Sequence, residues 1–215
     1  ASDVYKRQYQ IRSIYFDNVY DKALREKVDG IQKREKFRIR YYNDRFSLIT
    51  LEKKIKHNSL CMKKDAEITE AECRALLSGD TGWMLGHSEE LVRELYCKMK
   101  SQQLRPRVLV SYKREPYVYA AGNVRVTFDS NIRTTLFHRD FLENQVRDIE
   151  TEEVPGDMIL EVKFDEFLPE NCKVLKDIHP FDGVNVAKAV GTQVIQRLKG
   201  TGGNGRHFGV LGLCK

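Results

Sequence analysis

The sequence predicts an α+β protein built on an antiparallel β-barrel or tunnel with a charged interior and a cover of helices. Residues 36–42 and 48–54 are two extended runs joined through the turn signal Asn43-Asp44, so they should pair as a hairpin. In both runs charged residues alternate with aliphatic or aromatic ones, which gives each strand one charged and one apolar face. The same alternation returns at 108–114, 124–129 and 159–165.

A single hairpin of this kind is compatible with an ordinary sheet whose charged face meets water. Several such strands can instead close into a barrel that is polar inside, provided that helices cover its apolar outside. The 215 residues are enough for one domain with a buried core, and the net charge of +6 favours an anionic partner. Charge alone does not separate nucleic acid, an anionic membrane and a phosphorylated metabolite. No apolar run reaches the roughly 20 residues that a membrane-spanning helix requires.

The first elements follow from local signals. Residues 1–8 are polar and are expected to be a foreign or disordered N-terminus. A strand is predicted over 9–16, and Asp17-Asn18 after it can cap a short helix over 20–28. Beyond the hairpin, residues 60–68 alternate again.

Two helices are predicted next. Thr69 and Glu72 have the spacing of a capping box, and the helix that they begin should end near Ser78-Gly79. Ser88 is the predicted cap of the second helix. An apolar stripe on that helix predicts core packing over the barrel and consists of Leu91, Leu95 and Met99, flanked by Val92 and Tyr96.

The second half of the chain is less regular. Its predicted elements are a strand that ends at Arg114, a bend at Pro116, strands over 124–129 and 132–136, a short helix over 139–144, an acidic loop over 145–157, a strand over 158–164, a helix over 184–199 and a flexible tail that begins with the glycine-rich residues 201–205.

The cysteines and histidines show no ligand spacing. This pattern favours a reduced, cytoplasmic setting with buried thiols over disulfides or a zinc site. The histidines are assigned no chemistry. The five cysteines are Cys61, Cys73, Cys97, Cys172 and Cys214.

Cations that converge on one interior repel one another, so that interior is expected to hold water, counter-ions or a polyanion. Arginine binds phosphate oxygens through a planar fork, and lysine binds them as a point charge. Glu52 and Glu161 lie on the same charged faces. Each either holds Mg²⁺ or Mn²⁺ that bridges phosphate oxygens, or pairs with a lysine two residues on, Lys54 and Lys163 respectively.

Six short motifs, in fixed order, resemble the VTC domain. This family comprises the polyphosphate polymerases of the vacuolar transporter chaperone complex and their bacterial relatives, within the triphosphate tunnel metalloenzymes. The resemblance is to a tunnel domain over 9–170. The motifs are Ser13-Ile14-Tyr15-Phe16-Asp17-Asn18, Lys36-Phe37-Arg38-Ile39-Arg40-Tyr41, Leu51-Glu52-Lys53-Lys54, Tyr112-Lys113-Arg114, Val124-Arg125-Val126-Thr127-Phe128-Asp129 and Leu160-Glu161-Val162-Lys163.

The resemblance implies a tunnel whose basic wall binds a triphosphate, with a divalent metal that is usually manganese. It also implies transfer of the ATP γ-phosphate to a growing polyphosphate chain. The implied catalytic wall is Arg38, Arg40, Lys54, Arg114 and Arg125. Lys36, Glu52, Lys63 and Lys163 are the further substrate-binding residues, and Glu161 is the metal ligand.

The chain departs from the family pattern at both ends. Relatives begin with a strand that carries a glutamate and a tunnel lysine, where this chain has residues 1–8, and they end with a basic segment that 171–215 does not match. The tunnel is therefore expected to be incomplete at both ends. The expected ligands are ATP and polyphosphate, and any membrane partner is expected to be encoded outside this chain.

Other functions stay open at this point. A hydrolase would use the same tunnel with water as the acceptor, and a binding module would hold polyphosphate or inositol phosphates without turnover. A nucleic-acid-binding barrel would need aromatic residues among its cations. Phe37 and Tyr41 instead alternate with Arg38 and Arg40 and fall on the other face, so nucleic acid is not an expected partner.

Overall fold

The computed structural model describes residues 8–58, 60–151 and 158–165, and the backbone of the strands Gln193–Gly200 and Arg206–Val210. The elements in chain order are β1 (Tyr9–Asp17), α1 (Lys22–Val28), β2 (Lys33–Tyr42), β3 (Arg45–His57), β4 (Leu60–Ile68), α2 (Glu70–Ser78), α3 (Glu90–Gln102), β5 (Arg105–Tyr119), β6 (Val124–Thr135), β7 (Ile149–Glu150), β8 (Met158–Lys163), β9 (Gln193–Gly200) and β10 (Arg206–Val210).

The chain divides into two compact units. Residues 10–111 and 133–149 form the first, which we call the helix-bearing unit because it contains α1, α2 and α3. Residues 112–132 with β8, β9 and β10 build the second, the strand unit. The strands β5 and β6 contribute residues to both units. The domain boundaries 9–170 stay a prediction.

The helix-bearing unit has a sheet with the strand order β5-β1-β2-β3-β4, in which the pairs β1/β2, β2/β3 and β3/β4 are antiparallel. The predicted hairpin is confirmed as β2 and β3. Asn43 and Asp44 both have φ of 51°, the left-handed conformation that a two-residue hairpin turn requires.

One face of this sheet is covered by α2 and α3, as predicted. Phe37, Ile39 and Leu51 of the sheet are buried in one cluster with apolar residues of both helices. Leu91, Val92 and Leu95 of α3 are buried, and Tyr96 and Met99 pack beside them, so the apolar stripe is confirmed as core. Each fully buried side chain of this size contributes about 1.5–3 kcal/mol.

The helix caps are confirmed in two of three cases. Thr69 and Glu72 form the reciprocal capping box at α2. The Asp17 carboxylate accepts hydrogen bonds from the amides of Ala23 and Leu24 at the start of α1.

The prediction that Ser88 caps α3 is wrong. The cap residue is Glu89, whose backbone N–H donates to His87 Nδ1. Arg93, one turn into the helix, donates to the carbonyl oxygens of His87 and Ser88.

The strand unit has the order β10-β9-β8-β6-β5, and the pairs β6/β8, β8/β9 and β9/β10 are antiparallel. Its small core contains the buried residues Val124, Leu160 and Val162. Val126 and Phe128 pack against them from the same face of β6.

Several predicted boundaries are corrected. β5 continues past Pro116 to Tyr119, and β6 continues to Thr135, so the predicted bend and separate strand over 132–136 are absorbed into longer strands. The short helix over 139–144 is a 3-10 helix, His138–Leu142. The two-residue strand β7 lies within the predicted acidic loop and pairs with β6.

The helix predicted over 184–199 is wrong for the residues that form β9. That segment contains the β-branched pair Val194-Ile195, which favours strand, and neighbouring strands on both sides satisfy its backbone. Residues 184–192 lie outside the described part of the chain, as do 1–7 and 201–205. An antiparallel α+β fold with helices on one face is thus confirmed.

The cysteine prediction holds in part. Cys61, Cys73 and Cys97 are not joined in disulfides, but Cys61 and Cys97 are exposed, so of these three Cys73 alone fits the expected buried thiol. Cys172 and Cys214 lie outside the described residues. Within those residues, none of the helices has the length and apolar character needed to cross a membrane.

Candidate functional site

The charged face of the helix-bearing unit gathers six of the predicted site residues, and we call it the basic face. The pairing register lays them out in rows across the strands. Arg38 stands opposite Tyr15 and Glu52, and Arg40 stands opposite Ser13. A third row crosses β2, β3 and β4 and consists of Lys36, Lys54 and Lys63.

Arg38 and Glu52 form the central ion pair of the basic face. Arg38 Nε donates to Glu52 Oε2 at 2.5 Å. Lys63 Nζ lies 3.1 Å and Arg40 Nη1 3.9 Å from Glu52 Oε1. The Glu52 side chain is only 6% exposed, so its charge is compensated by these cations rather than by water.

The electrostatics of this pair keep both groups ionised. Burial raises the pKa of Glu52, but Arg38 and Arg40 outweigh it, so the pKa is lowered from its ordinary value. Burial likewise opposes the charge of Arg38, but Tyr15 and Glu52 hold its pKa above the usual range. Arg38 and Glu52 are therefore both charged at physiological pH.

Two residues of β1 complete the basic face and were missed by the sequence analysis. Tyr15 Oη accepts a hydrogen bond from Arg38 Nη1 at 3.1 Å, and Ser13 Oγ accepts one from Arg40 Nε at 3.1 Å. Burial raises the pKa of Tyr15, but Arg38 and Lys36 lower it below its ordinary value. The alternation of β1 places both residues on one face and was the signal that could have identified them.

The strand unit contains a second group of predicted site residues around Arg114. Its guanidinium binds Asp129 in bidentate fashion, with Nε and Nη2 each 2.6 Å from a carboxylate oxygen. The same Nη2 lies 3.6 Å from Glu161 Oε2, and Lys163 Nζ lies 3.3 Å from Glu161 Oε1. We call these four residues the Arg114 cluster.

Arg125 and Thr127 share the charged face of β6 with Asp129. Arg125 is exposed and stands opposite Lys163 in the β6/β8 register, and Thr127 stands opposite Glu161. Thr127 is 3% exposed, and its hydroxyl has no hydrogen-bond partner among the described residues. Neither Asp129 nor Thr127 was a predicted site residue.

The two lysine pairings considered for the glutamates have different outcomes. Glu161 does pair with Lys163. Glu52 pairs with Arg38, Arg40 and Lys63 in place of Lys54. Lys54 is directed by the register toward two other lysines, so an anion is its natural partner.

That the basic face and the Arg114 cluster line one lumen stays a prediction.

Carboxylates are the negatively charged metal ligands that the two groups offer. No group of three or more histidine, cysteine, aspartate or glutamate side chains is assembled for a metal anywhere in the ranges that the structure describes. The Arg114 cluster nevertheless brings two carboxylates to one guanidinium nitrogen. One or two carboxylates with phosphate oxygens and water suffice for Mg²⁺.

Comparison with known proteins gives one strong match. A family model described as the VTC domain matches residues 2–188, which extends beyond 9–170 at both ends. No curated protein matches. Among solved structures, one described as "a putative adenylate cyclase" from Bacillus halodurans is similar with a TM-score of 0.40 and 15% identity, over 57% of this chain and 59% of that chain. At these values the likeness carries no further argument.

Proposed function

The chain belongs to the VTC domain family, and from that premise we propose that it binds ATP and transfers the γ-phosphate to a growing polyphosphate chain with the help of a divalent metal. The observation that supports this proposal most is the basic face, where arginines and lysines of neighbouring strands lie in register. Phosphoryl transfer depends mainly on positioning and on charge neutralisation, which such an arrangement can supply.

In this proposal Arg38 and Arg40 hold phosphate oxygens. Their guanidinium groups are kept in place by Tyr15 and Ser13, so they are oriented before the ligand arrives. Lys36, Lys54 and Lys63 add positive charge beside them. A phosphate group that replaces Glu52 at Arg38 would find the same fork-like geometry that the carboxylate uses.

Arg114, Arg125 and Lys163 are proposed to bind phosphate in the strand unit. Arg114 is well suited because it stays protonated. Burial disfavours the charged guanidinium, but the hydrogen bonds with Asp129 hold the pKa of Arg114 above its ordinary value. Arg125 is exposed and so can reach a ligand without leaving a buried partner. Closure of the strands into a tunnel stays a prediction that rests on family membership.

The proposed metal ligand is Glu161. Its carboxylate lies beside two cations at 3.3 and 3.6 Å, and it could take a hard divalent cation once phosphate shares those cations. A bound Mn²⁺ or Mg²⁺ would neutralise charge on the transferred phosphoryl group. Which of the two is used stays open, and the predicted cytoplasmic location stays a prediction.

The test is product analysis with ATP and Mn²⁺. Long phosphate chains would support the polymerase, orthophosphate alone would support a hydrolase, and tight phosphate binding without ATP consumption would support a binding module. Arg74→Ala is a matched control for Arg38→Ala, because Arg74 is an exposed arginine paired with Glu70 and Glu143. Turnover that survives Arg38→Ala as well as it survives Arg74→Ala would contradict the role of the basic face.

A further inference from the structure

The pairing of Arg114 with Asp129 occupies the phosphate-binding groups of Arg114. The Nε/Nη2 edge of the guanidinium and the carboxylate are both engaged, since each carboxylate oxygen has its own nitrogen at 2.6 Å. The two side chains are 17% and 10% exposed. A phosphate can therefore take the bidentate position at the Nε/Nη2 edge of Arg114 only if it takes the place of Asp129.

Asp129 cannot be left alone at that point. A mostly buried carboxylate that loses a bidentate arginine carries a large free-energy cost, unless another cation takes over. Glu161 is close enough to act with Asp129, because Arg114 Nη2 contacts both carboxylates. When Arg114 turns to phosphate, Lys163 still lies 3.3 Å from Glu161, and a divalent cation between the two carboxylates would replace the charge that Asp129 loses.

Thr127 gives an independent indication that a ligand belongs here. It lies between Asp129 and Glu161, two residues from the first along β6 and directly opposite the second on β8. Its hydroxyl is buried and has no hydrogen-bond partner in the part of the chain that is described. A buried hydroxyl without a partner costs about 1–3 kcal/mol, and hydroxyl oxygen is a good ligand for Mg²⁺.

We propose that Asp129, Glu161 and Thr127 form a divalent-cation site that Arg114 keeps closed until a triphosphate draws its guanidinium away. Each charged group keeps an oppositely charged partner in this exchange. Arg114 leaves Asp129 and binds a phosphate oxygen, and Asp129 leaves Arg114 and binds the metal ion. This inference rests on the proposed function, since it requires that triphosphate binds at Arg114.

Coupling between the two ligands follows from the exchange. Triphosphate opens the metal site, and the metal ion stabilises the state in which Arg114 is available to phosphate. By linkage each ligand must raise the affinity of the other by the same factor. As a ligand of the metal ion, Asp129 thus weakens triphosphate binding when metal is absent and strengthens it when metal is present.

The test measures binding of tripolyphosphate by calorimetry, with a chelator and then with Mn²⁺, for the whole chain. For Asp129→Asn we expect affinity without metal to rise about fivefold or more, because Arg114 is released, and the gain on adding Mn²⁺ to fall well below the wild-type gain. Asp140→Asn is the matched control, since Asp140 is also held by both Nε and Nη2 of an arginine, Arg147. Asp140→Asn keeps the proposed cation site, so we expect it to match the wild type both with the chelator and with Mn²⁺.

Thr127 is tested by a pair of variants. Thr127→Val keeps the shape and removes the hydroxyl, so we expect weaker Mn²⁺ binding, measured by electron paramagnetic resonance in the presence of tripolyphosphate, with no loss of thermal stability. Thr127→Ser should keep the wild-type Mn²⁺ affinity, which would confirm that the hydroxyl acts.

The outcomes separate this inference from the proposed function. If the wild-type chain does not bind tripolyphosphate, both fail. If it binds, but Asp129→Asn lowers affinity equally with and without Mn²⁺, Asp129 merely orients Arg114 and the exchange is overturned. If Thr127→Val binds Mn²⁺ as the wild type does, Thr127 is removed from the site.

Discussion

Arg38 and Glu52 face each other across β2 and β3 and form a 2.5 Å ion pair at the centre of the basic face. The residue that is best placed to bind phosphate is thus already paired with a carboxylate. In the proposed function, substrate binding at Arg38 is therefore an exchange of one anion for another. Substitutions on this sheet should therefore change ligand affinity and the free energy of unfolding separately.

Removal of Arg38 should weaken ligand binding strongly. Arg38→Ala should raise the dissociation constant for tripolyphosphate about 10- to 100-fold, since a hydrogen bond to a charged group contributes about 1.5–3 kcal/mol. It should also destabilise the fold, because Glu52 loses its closest partner. The double variant Arg38→Ala, Glu52→Gln should recover stability but not affinity. Calorimetry and thermal denaturation measure the two effects, and joint recovery would argue against a direct contact with phosphate.

Neighbouring lysines on β3 should behave in opposite ways. Lys53 faces the helices, is 5% exposed and binds Glu35 at 2.7 Å and also Glu94. Lys53→Met should therefore cost about 1–3 kcal/mol of unfolding free energy, because Glu35 and Glu94 are partly exposed and Glu35 keeps Lys98, and it should leave tripolyphosphate affinity unchanged. Lys54→Met, on the basic face, should lower affinity with little change in stability. Chemical denaturation and calorimetry on both variants make the comparison, which fails if both variants lose the same property.

Acid should destabilise the protein partly through Glu52. Burial raises its pKa, but Arg38 and Arg40 lower it below the ordinary value of 4.5, so its contribution is present above that pH and is lost as pH falls through the folded pKa. The melting temperature should drop on acidification from about pH 6 to about pH 3, and less steeply for Glu52→Gln. Identical slopes for the two proteins would show that Glu52 is not responsible.

Glu161 should matter for turnover more than for binding. Glu161→Gln removes the charge that a divalent ion requires but leaves Arg38, Arg40 and Arg125 in place. We expect loss of Mn²⁺-dependent turnover of ATP and a change of no more than about fivefold in tripolyphosphate affinity. Turnover assays against Mn²⁺ concentration test this. Unchanged turnover in Glu161→Gln would refute the metal assignment.

Strand alternation predicted much of the site because it is a local property of the chain. It placed Lys36, Arg38 and Arg40 on one face and Phe37 and Ile39 on the other, and the structure confirms both. The capping box at Thr69 and the turn at Asn43-Asp44 are local in the same sense, and both were predicted correctly.

What sequence reasoning missed depends on pairing between distant segments. Nothing local to β1 indicates that Tyr15 will meet Arg38, 23 positions later in the chain. Asp129 ended a recognised motif, but its role appears only when Arg114 of the preceding strand lies beside it. The predicted helix over 184–199 failed in β9 for a related reason, since hydrogen bonds to β8 and β10 override a weak helical pattern.

The adjacency of Lys53 and Lys54 has one more consequence. If β3 slipped by a single residue along β2, Lys54 would be driven into the apolar layer beneath the helices and Lys53 would lose both of its carboxylates. The order of these two lysines therefore fixes the register of the β2/β3 hairpin. A hairpin that forms out of register is destabilised on both faces of the sheet.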